Sequence, residues 1–301
     1  MSDYQELKLP SADGYTLSLR VYDAAAPKAV IKIIHGMEEH QERYQDFAEF
    51  LQAAGYAVVT ADLRGHGKSA PILSHIADKD GHLRLMEDEK AILDFIHGRW
   101  ADVPVILFGH SMGTIIARAF LQNHSHDYAK VVLSGYPNPN GAAGAGNLLA
   151  GLLSVFKGAK GRSRLIDGMV LGPFAKAIPD AQSPLEWLSV NTDNVDAYAA
   201  DPLCGSPFTL GSYQTLFCLI KMMASPKQYQ DVRKDLPILL ISGREDPCTG
   251  GDKGRADSES ALRKAGFNEL KIVTLDGMRH EILNETDRKS VYRIILDYIN
   301  G

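Results

Sequence analysis

A short glycine-bounded segment, Gly109-His110-Ser111-Met112-Gly113, constrains the fold more than any other part of this 301-residue chain. The apolar run before it predicts a strand, and the pattern after it predicts a helix. A strand that turns directly into a helix strains the backbone of the central serine, and flanking glycines remove side chains that would collide. The turn would lift the Ser111 hydroxyl above a sheet, beside a helix N-terminus that favours negative charge. The segment therefore predicts a nucleophile elbow.

Strands and helices alternate along most of the chain. Patterns typical of strands cover residues 6–9, 15–21, 29–34, 56–61, 103–108, 131–134, 236–243 and 270–275. Patterns typical of helices cover residues 43–54, 85–96, 112–123, 257–265 and 287–299. This alternation predicts an α/β fold with a mostly parallel central sheet and helices on both faces. Reactive side chains in such a fold collect beyond the carboxyl ends of the strands.

The alternation stops at Gly135 and resumes at residue 236. Residues 137–146 are rich in Pro, Asn and Gly and predict irregular structure. Helical patterns follow at residues 148–156, 165–177 and 213–223, without convincing strands between them. We therefore predict a core of residues 1–135 and 236–301, interrupted by a helical cap, or lid, of residues 136–235.

Composition excludes several classes of protein. The net charge of −5 gives no basic footprint, so we expect no nucleic-acid partner. No run approaches the ~20 apolar residues that span a bilayer, and the polar N-terminus does not resemble a signal peptide. Three scattered cysteines are too few for a disulfide framework or a zinc site, and we expect neither a metal nor an organic cofactor. We expect a cytoplasmic protein, with a peripheral position at the membrane as the alternative.

A serine hydroxyl is a poor nucleophile unless a base, oriented by a carboxylate, takes its proton. His280 follows the strand predicted at 270–275, and Asp246 follows the one at 236–243, so both should reach the edge that carries Ser111. The chain order Ser, Asp, His is the one expected for this architecture. The rival acids and the rival histidines on this edge are Glu245, Asp252, His35, His66 and His110.

Acyl transfer also needs donors for the oxygen that gains negative charge. The backbone N–H of Met112, directly after the nucleophile, is one candidate. The loop after an early strand should supply the second, and the N–H of Met37 is our choice.

The chain resembles the monoacylglycerol lipase and lysophospholipase branch of the α/β hydrolases. The resemblance rests on five ordered segments: His35-Gly36-x-x-Glu39-His40-x-x-Arg43-Tyr44, Asp62-x-Arg64-Gly65-His66-Gly67-x-Ser69, the pentapeptide at 109–113, Gly243-x-x-Asp246-Pro247 and Arg279-His280-Glu281-x-x-Asn284-Glu285. It implies that Ser111, Asp246 and His280 form a catalytic triad and that Met37 and Met112 form the oxyanion hole below a cap that covers an acyl-binding channel.

The resemblance also concerns the loop after the early strand. It places Glu39 and Arg43 near the polar head of a glycerol-like substrate, although a local ion pair between them is an equal alternative. Glu38 departs from the family, which usually carries a small residue there. Its carboxylate would either change the polarity of the pocket or face solvent.

The leading hypothesis is a serine hydrolase that cleaves monoacylglycerols, lysophospholipids or similar single-chain, lipid-like esters. One alternative is an aminopeptidase with the same triad, which would need cap carboxylates to bind a substrate ammonium group; Asp193, Asp196 and Asp201 are available. Another is an inactive ligand-binding protein with the same fold.

The cap sequence also bears on membranes. Residues 148–156 form a stretch amphipathic enough to touch a membrane surface transiently or to line a lipid channel, and packing onto the core is the simpler interpretation. The cations that follow it could contact anionic head groups or remain solvated: Lys157, Lys160, Arg162 and Arg164.

Overall fold

Within residues 4–138 and 143–301, which the computed structural model describes, eight strands form one sheet. The strands are β1 (Gln5–Pro10), β2 (Thr16–Tyr22), β3 (Val30–Ile34), β4 (Ala57–Asp62), β5 (Val105–His110), β6 (Lys130–Ser134), β7 (Ile238–Gly243) and β8 (Leu270–Leu275). Their order across the sheet is β1-β2-β4-β3-β5-β6-β7-β8. β2 pairs antiparallel with β1 and β4, and every other neighbouring pair is parallel. The predicted mostly parallel sheet is confirmed.

The central strands are buried on both faces, which is why they are continuous apolar runs rather than alternating ones. Every residue of β3, β4, β5 and β7 is buried. Successive side chains still point to opposite faces. In β3, for example, Val30 and Ile34 join one apolar cluster, whereas Ile31 and Ile33 join the cluster on the other side.

Helices cover both faces of the sheet. They are α1 (Gln45–Ala53), α2 (Gly81–Arg99), α3 (Met112–His124), α4 (Ala143–Lys157), α5 (Arg164–Val170), α6 (Gly172–Lys176), α7 (Thr192–Ala200), α8 (Leu210–Met223), α9 (Gly251–Lys264) and α10 (Arg288–Asn300). α1 and α10 contribute to one apolar cluster, and α2, α3 and α9 contribute to the other. No helix of the described chain is both long and apolar enough to cross a bilayer.

The segment between β6 and β7 holds α4 to α8, and two predictions about it were wrong while one helix was missed. Residues 137–146 are not all irregular, because α4 begins at Ala143; residues 139–142 lie outside the described part. Gly146 lets this helix approach α8, since a Cβ there would lie 2.7 Å from Cζ of Phe217. The helix predicted at 165–177 is two helices, with Pro173 in the first turn of the second. α7 was not predicted at all.

Candidate active site

The backbone at Ser111 has the predicted strained conformation. Its φ of 51° and ψ of −120° join the end of β5 to the start of α3. A Cβ on Gly109 would lie 2.7 Å from the carbonyl oxygen of Gly113, and one on Gly113 would lie 2.2 Å from that of Ile34. Neither contact is tolerable, so glycine is required on both sides of the serine. The N–H of Ser111 donates to the carbonyl oxygen of Ser134, which fixes the turn against β6.

His280 and Asp246 form a buried pair beside this turn. Nδ1 of His280 donates to Oδ2 of Asp246 at 3.0 Å, and both side chains are at most 2% exposed. The N–H of Cys248 donates to the other carboxylate oxygen at 2.9 Å, so the acid is held from both sides. Burial lowers the pKa of His280, but the Asp246 carboxylate and the neighbouring Cys248 together outweigh burial and raise that pKa well above 6.5.

The rival residues lie elsewhere or have other partners. Glu245 and Asp252 are exposed, and Asp252 binds Arg255. Both ring nitrogens of His35 are engaged, with the carbonyl oxygen of Gly36 and the N–H of Leu63. His110 lines the cavity, with its ring centroid 4.7 Å from that of His280, and burial lowers its pKa to about 4.

Ser111 and His280 open into one cavity of about 570 Å³, a volume suited to a single small ligand. Met37 and Met112, the predicted oxyanion donors, line it too. Met112 is the first residue of α3, where backbone N–H groups have no partner within the helix. Most of the remaining wall is apolar and comes from the segment between β6 and β7: Met169, Val170, Leu171, Phe174, Leu185, Trp187, Leu188, Leu216, Phe217 and Ile220.

Glu39 and Arg43 form the ion pair that was one of the two alternatives. Nη1 of Arg43 lies 3.0 Å from Oε2 of Glu39, and the guanidinium also binds both carboxylate oxygens of Glu281 at 2.6 and 2.7 Å. Oε1 of Glu39 accepts from the N–H of Gly36 and the hydroxyl of Tyr44. Glu39 lines the cavity and Arg43 is not among its lining residues, so contact with a substrate head group stays a prediction.

This network ties the cavity to the segment between β6 and β7. The amide of Asn194, on α7, accepts from Arg43 and donates to Glu281, the residue directly after His280. Glu285 accepts from the backbone N–H groups of Val190 and Asn191 and from the Ser189 hydroxyl. Glu281 and Glu285, which follow His280, therefore hold α7 and the residues just before it in place.

Replacing Arg43 with methionine should lower the free energy of unfolding by about 3–5 kcal/mol, because Glu39 and Glu281 then keep buried charges without a cation. Arg43 outweighs the effect of burial and lowers the pKa of Glu281 to about 2. The stabilisation that Arg43 gives to ionised Glu281 is therefore present above the usual pKa near 4.5 and is lost as the pH falls toward 2. The difference in free energy of unfolding between the wild type and Arg43→Met should shrink on acidification.

Urea unfolding at several pH values checks this prediction. Lys90→Met is the matched control, since it removes a cation from the exposed pair with Asp94 and should cost less than about 1 kcal/mol. Equal losses for the two variants would refute the argument.

Glu38 does not face solvent. Its side chain is buried, it lines the cavity, and its backbone φ is 57°. Burial and the neighbouring Asp167 raise its pKa to about 8. Of the two alternatives for this residue, the one that changes the pocket's polarity is correct.

The sequence did not indicate two residues of the site. Cys248 lines the cavity, and its sulfur lies within 4.8 Å of the acid–base pair; burial raises its pKa to about 11. Its position two residues after Asp246 could have suggested this. The ring of Trp187 packs 5.0 Å from that of His280 and gave no sequence signal, because it lies in the inserted segment.

Potential metal ligands meet at two places in the described part of the chain. His40, Asp201 and Cys204 form one group, in which His40 already binds Asp201 at 2.8 Å. Asp246, Cys248 and His280 form the other, where the hydrogen bonds of an acid–base pair account for the geometry.

The fold and the site define the class of this protein as an α/β hydrolase. Residues 25–287 match the family described as serine aminopeptidase, S33, and the chain belongs to that family. It is 30% identical over 288 residues to monoglyceride lipase of Homo sapiens, covering 94% of this chain and 86% of that protein. It is 26% identical over 277 residues to monoacylglycerol lipase of Mycolicibacterium smegmatis, covering 91% and 88%.

A solved structure supports the same class. A highly thermostable carboxyl esterase from Bacillus coagulans, in complex with glycerol, matches with a TM-score of 0.88 and 25% identity, covering 99% of this chain and 98% of that one. Together these matches show a lipase- or esterase-type hydrolase of the monoglyceride lipase and lysophospholipase-like branch.

Proposed function

We propose that this protein hydrolyses single-chain carboxylic esters, monoacylglycerols or lysophospholipids, through an acyl-enzyme on Ser111. The observation that carries the proposal is the buried His280–Asp246 pair, whose histidine lines the same largely apolar cavity as a serine held at a strand-to-helix turn. The names of the monoacylglycerol lipase relatives support the same substrate class.

In the proposed reaction, His280 takes the proton of Ser111 as its oxygen attacks the ester carbonyl. The N–H groups of Met37 and Met112 then stabilise the oxyanion, and His280 returns the proton to the departing alcohol. Water, activated by the same histidine, releases the acid. Asp246 holds the imidazole with Nδ1 protonated, so that Nε2 is free to accept.

We propose that residues 136–235 form a lid over the acyl chain of the substrate. Its support is that α5, α6 and α8 supply most of the apolar wall, while β5, β7 and β8 lead to the reacting groups. A long alkyl chain would be removed from water when it packs against this wall, which favours substrates with long acyl chains over substrates with short polar groups.

A peptidase role has less support. The cap carboxylates considered for binding a substrate ammonium group do not reach the cavity, because Asp193 and Asp196 are exposed, Asp201 binds His40, and none of the three lines it. Asp167 does line the cavity, so the comparison with aminoacyl amides decides between the two functions.

The test is hydrolysis of a monoacylglycerol series of increasing chain length, compared with aminoacyl amides. We expect kcat/KM to rise with chain length and to exceed that for the amides by at least about 100-fold, since each buried CH₂ contributes about 0.8 kcal/mol. Faster cleavage of the amides would favour the peptidase. No hydrolysis, together with no labelling of Ser111 by a fluorophosphonate, would favour an inactive ligand-binding protein.

We further propose that the outer face of α4 and α5 docks transiently on a lipid surface. Leu148, Leu152, Val155 and Phe156 share one face of α4 and are 56–87% exposed. Leu165 and Met169, on α5, are also exposed, and Met169 lines the cavity as well, so the exposed part of α5 reaches the site. Exposed Lys157, Lys160 and Arg164 lie in the same region and suit anionic head groups.

Replacing both Val155 and Phe156 with serine should weaken sedimentation with phosphatidylcholine–phosphatidylglycerol vesicles at least about tenfold, because two large apolar side chains lose their contact with lipid. Leu83→Ser is the control, since Leu83 is 51% exposed on α2. Unchanged vesicle binding, or a change only in oligomeric state, would contradict a membrane role for this surface.

A further inference from the structure

Glu38, at the wall of the cavity, has a strained backbone and a buried carboxyl group, and both are energetically unfavourable. Its φ of 57° is the left-handed conformation, which a residue with a Cβ adopts at a cost. Its carboxylate is removed from water, with the residue only 6% exposed. Backbone strain and a buried carboxyl group of this kind are concentrated at functional sites, which indicates that Glu38 has a role other than packing.

The carboxylate of Glu38 also has few partners. The N–H of Phe208 donates to Oε1 at 3.2 Å, whereas an ionised carboxylate offers about four acceptor positions. The other buried carboxylates of the described residues each have a cationic partner or at least two donors, as Glu89 has with Lys32 and Asp62 has with two backbone N–H groups. Glu38 therefore differs from acids that have a structural role.

A second acidic residue lines the same cavity and comes from the segment between β6 and β7. Asp167, on α5, lines the cavity and accepts from the hydroxyl of Tyr213 at 2.6 Å. Burial, followed by Asp167, raises the pKa of Glu38, while the N–H of Phe208 and the charge of Arg162 lower it without cancelling the rise. Burial and the nearby Asp167 thus disfavour the ionised form of Glu38, and its sparsely bonded carboxyl leaves a place in a largely apolar cavity for a hydrogen-bond donor or a cation.

We propose that Glu38 and Asp167 form a subsite that binds a hydrogen-bond-donating group of the substrate, a hydroxyl or an ammonium, and disfavours a carboxylate. The inference rests on the proposed ester hydrolysis and deepens it by naming a substrate feature. A donor between the two acids satisfies oxygens that the protein leaves with few partners, and a cation also relieves their repulsion. Above the pKa of Glu38, where both acids are ionised, a substrate carboxylate would add a third like charge.

Two ester series test the subsite. In one, the acyl chain ends in a methyl, hydroxyl, ammonium or carboxylate group at equal length; in the other, the alcohol carries the same four groups. The measured quantity is kcat/KM at pH 9, above the pKa of Glu38, for each tipped ester divided by that for the methyl-tipped ester, so that a general change in activity cancels. The comparison of the hydroxyl-tipped with the ammonium-tipped esters distinguishes a site for a neutral hydrogen-bond donor from a site for a cation.

In at least one series, the wild type should favour the hydroxyl or ammonium ester by about tenfold relative to Glu38→Gln, and Asp167→Asn should lose part of this preference. The carboxylate ester should gain about tenfold, relative to the methyl ester, in Glu38→Gln. Asp193→Asn is the control, because it removes an exposed charge outside the cavity and should leave all ratios unchanged.

Ratios in both series that are identical in the wild type and Glu38→Gln would overturn the subsite while leaving ester hydrolysis intact. If the methyl-tipped esters are not cleaved and the fluorophosphonate does not label Ser111, the proposed function and the subsite both fail.

Discussion

Replacing Ser111 with alanine should lower kcat/KM for a medium-chain monoacylglycerol by a factor on the order of 10⁵–10⁶, because no acyl-enzyme can form. The residual activity would come from the cavity and the oxyanion donors alone. The backbone at this position has a φ of 51°, which strains alanine as much as serine, so the melting temperature should stay close to that of the wild type. Steady-state kinetics and a thermal melt on the same preparation check both statements.

Ser258→Ala provides the matched control. Ser258 is a buried serine of α9 whose hydroxyl has no partner among the described residues, and it does not line the cavity. This variant should keep wild-type activity and fluorophosphonate labelling, whereas Ser111→Ala should lose both. A Ser111→Ala variant that retained more than about a tenth of the wild-type kcat/KM would rule out the serine mechanism.

The sequence predicted the central sheet and the meeting of Ser111, Asp246 and His280 because both depend on short-range patterns. A β-branched run such as residues 30–34 is typical of a buried strand, and a parallel sheet collects its strand ends at one edge. Once the strands before Ser111, Asp246 and His280 were placed, their proximity followed from topology. The glycines at 109 and 113 then specified the sharp turn itself.

The inserted segment was harder to predict because tertiary contacts decide its structure. α7 has only Val195 and Tyr198 as buried residues, too few for a clear helical period, and it is held by the contact of Asn194 with Arg43 and Glu281. Arg43 and Glu281 are 238 residues apart, so local patterns do not reveal their pairing. The direction of the Glu38 side chain was undetermined for the same reason.

Replacing Asp246 with asparagine should lower the plateau of kcat/KM on the order of 10⁴-fold, because the wrong tautomer of His280 is then favoured. Oδ1 of Asp246 accepts from the N–H of Cys248 at 2.9 Å. An asparagine oxygen that keeps this bond turns its NH₂ group toward Nδ1 of His280, which must then accept rather than donate. The proton moves to Nε2, and the imidazole can no longer take the proton of Ser111.

The pH profile of kcat/KM tests the same pair independently. In the wild type, Asp246 raises the pKa of His280 above 6.5, so kcat/KM should rise with pH and reach half its plateau above that value. Without the carboxylate, burial is the dominant effect and lowers the pKa of His280. The weak residual activity should therefore reach half its plateau at a lower pH than in the wild type. Glu245→Gln, which removes the exposed acid next to Asp246, should change neither the plateau nor the midpoint. A wild-type profile that is flat between about pH 5 and 9 would exclude His280 as the base, since a histidine titrates within that range.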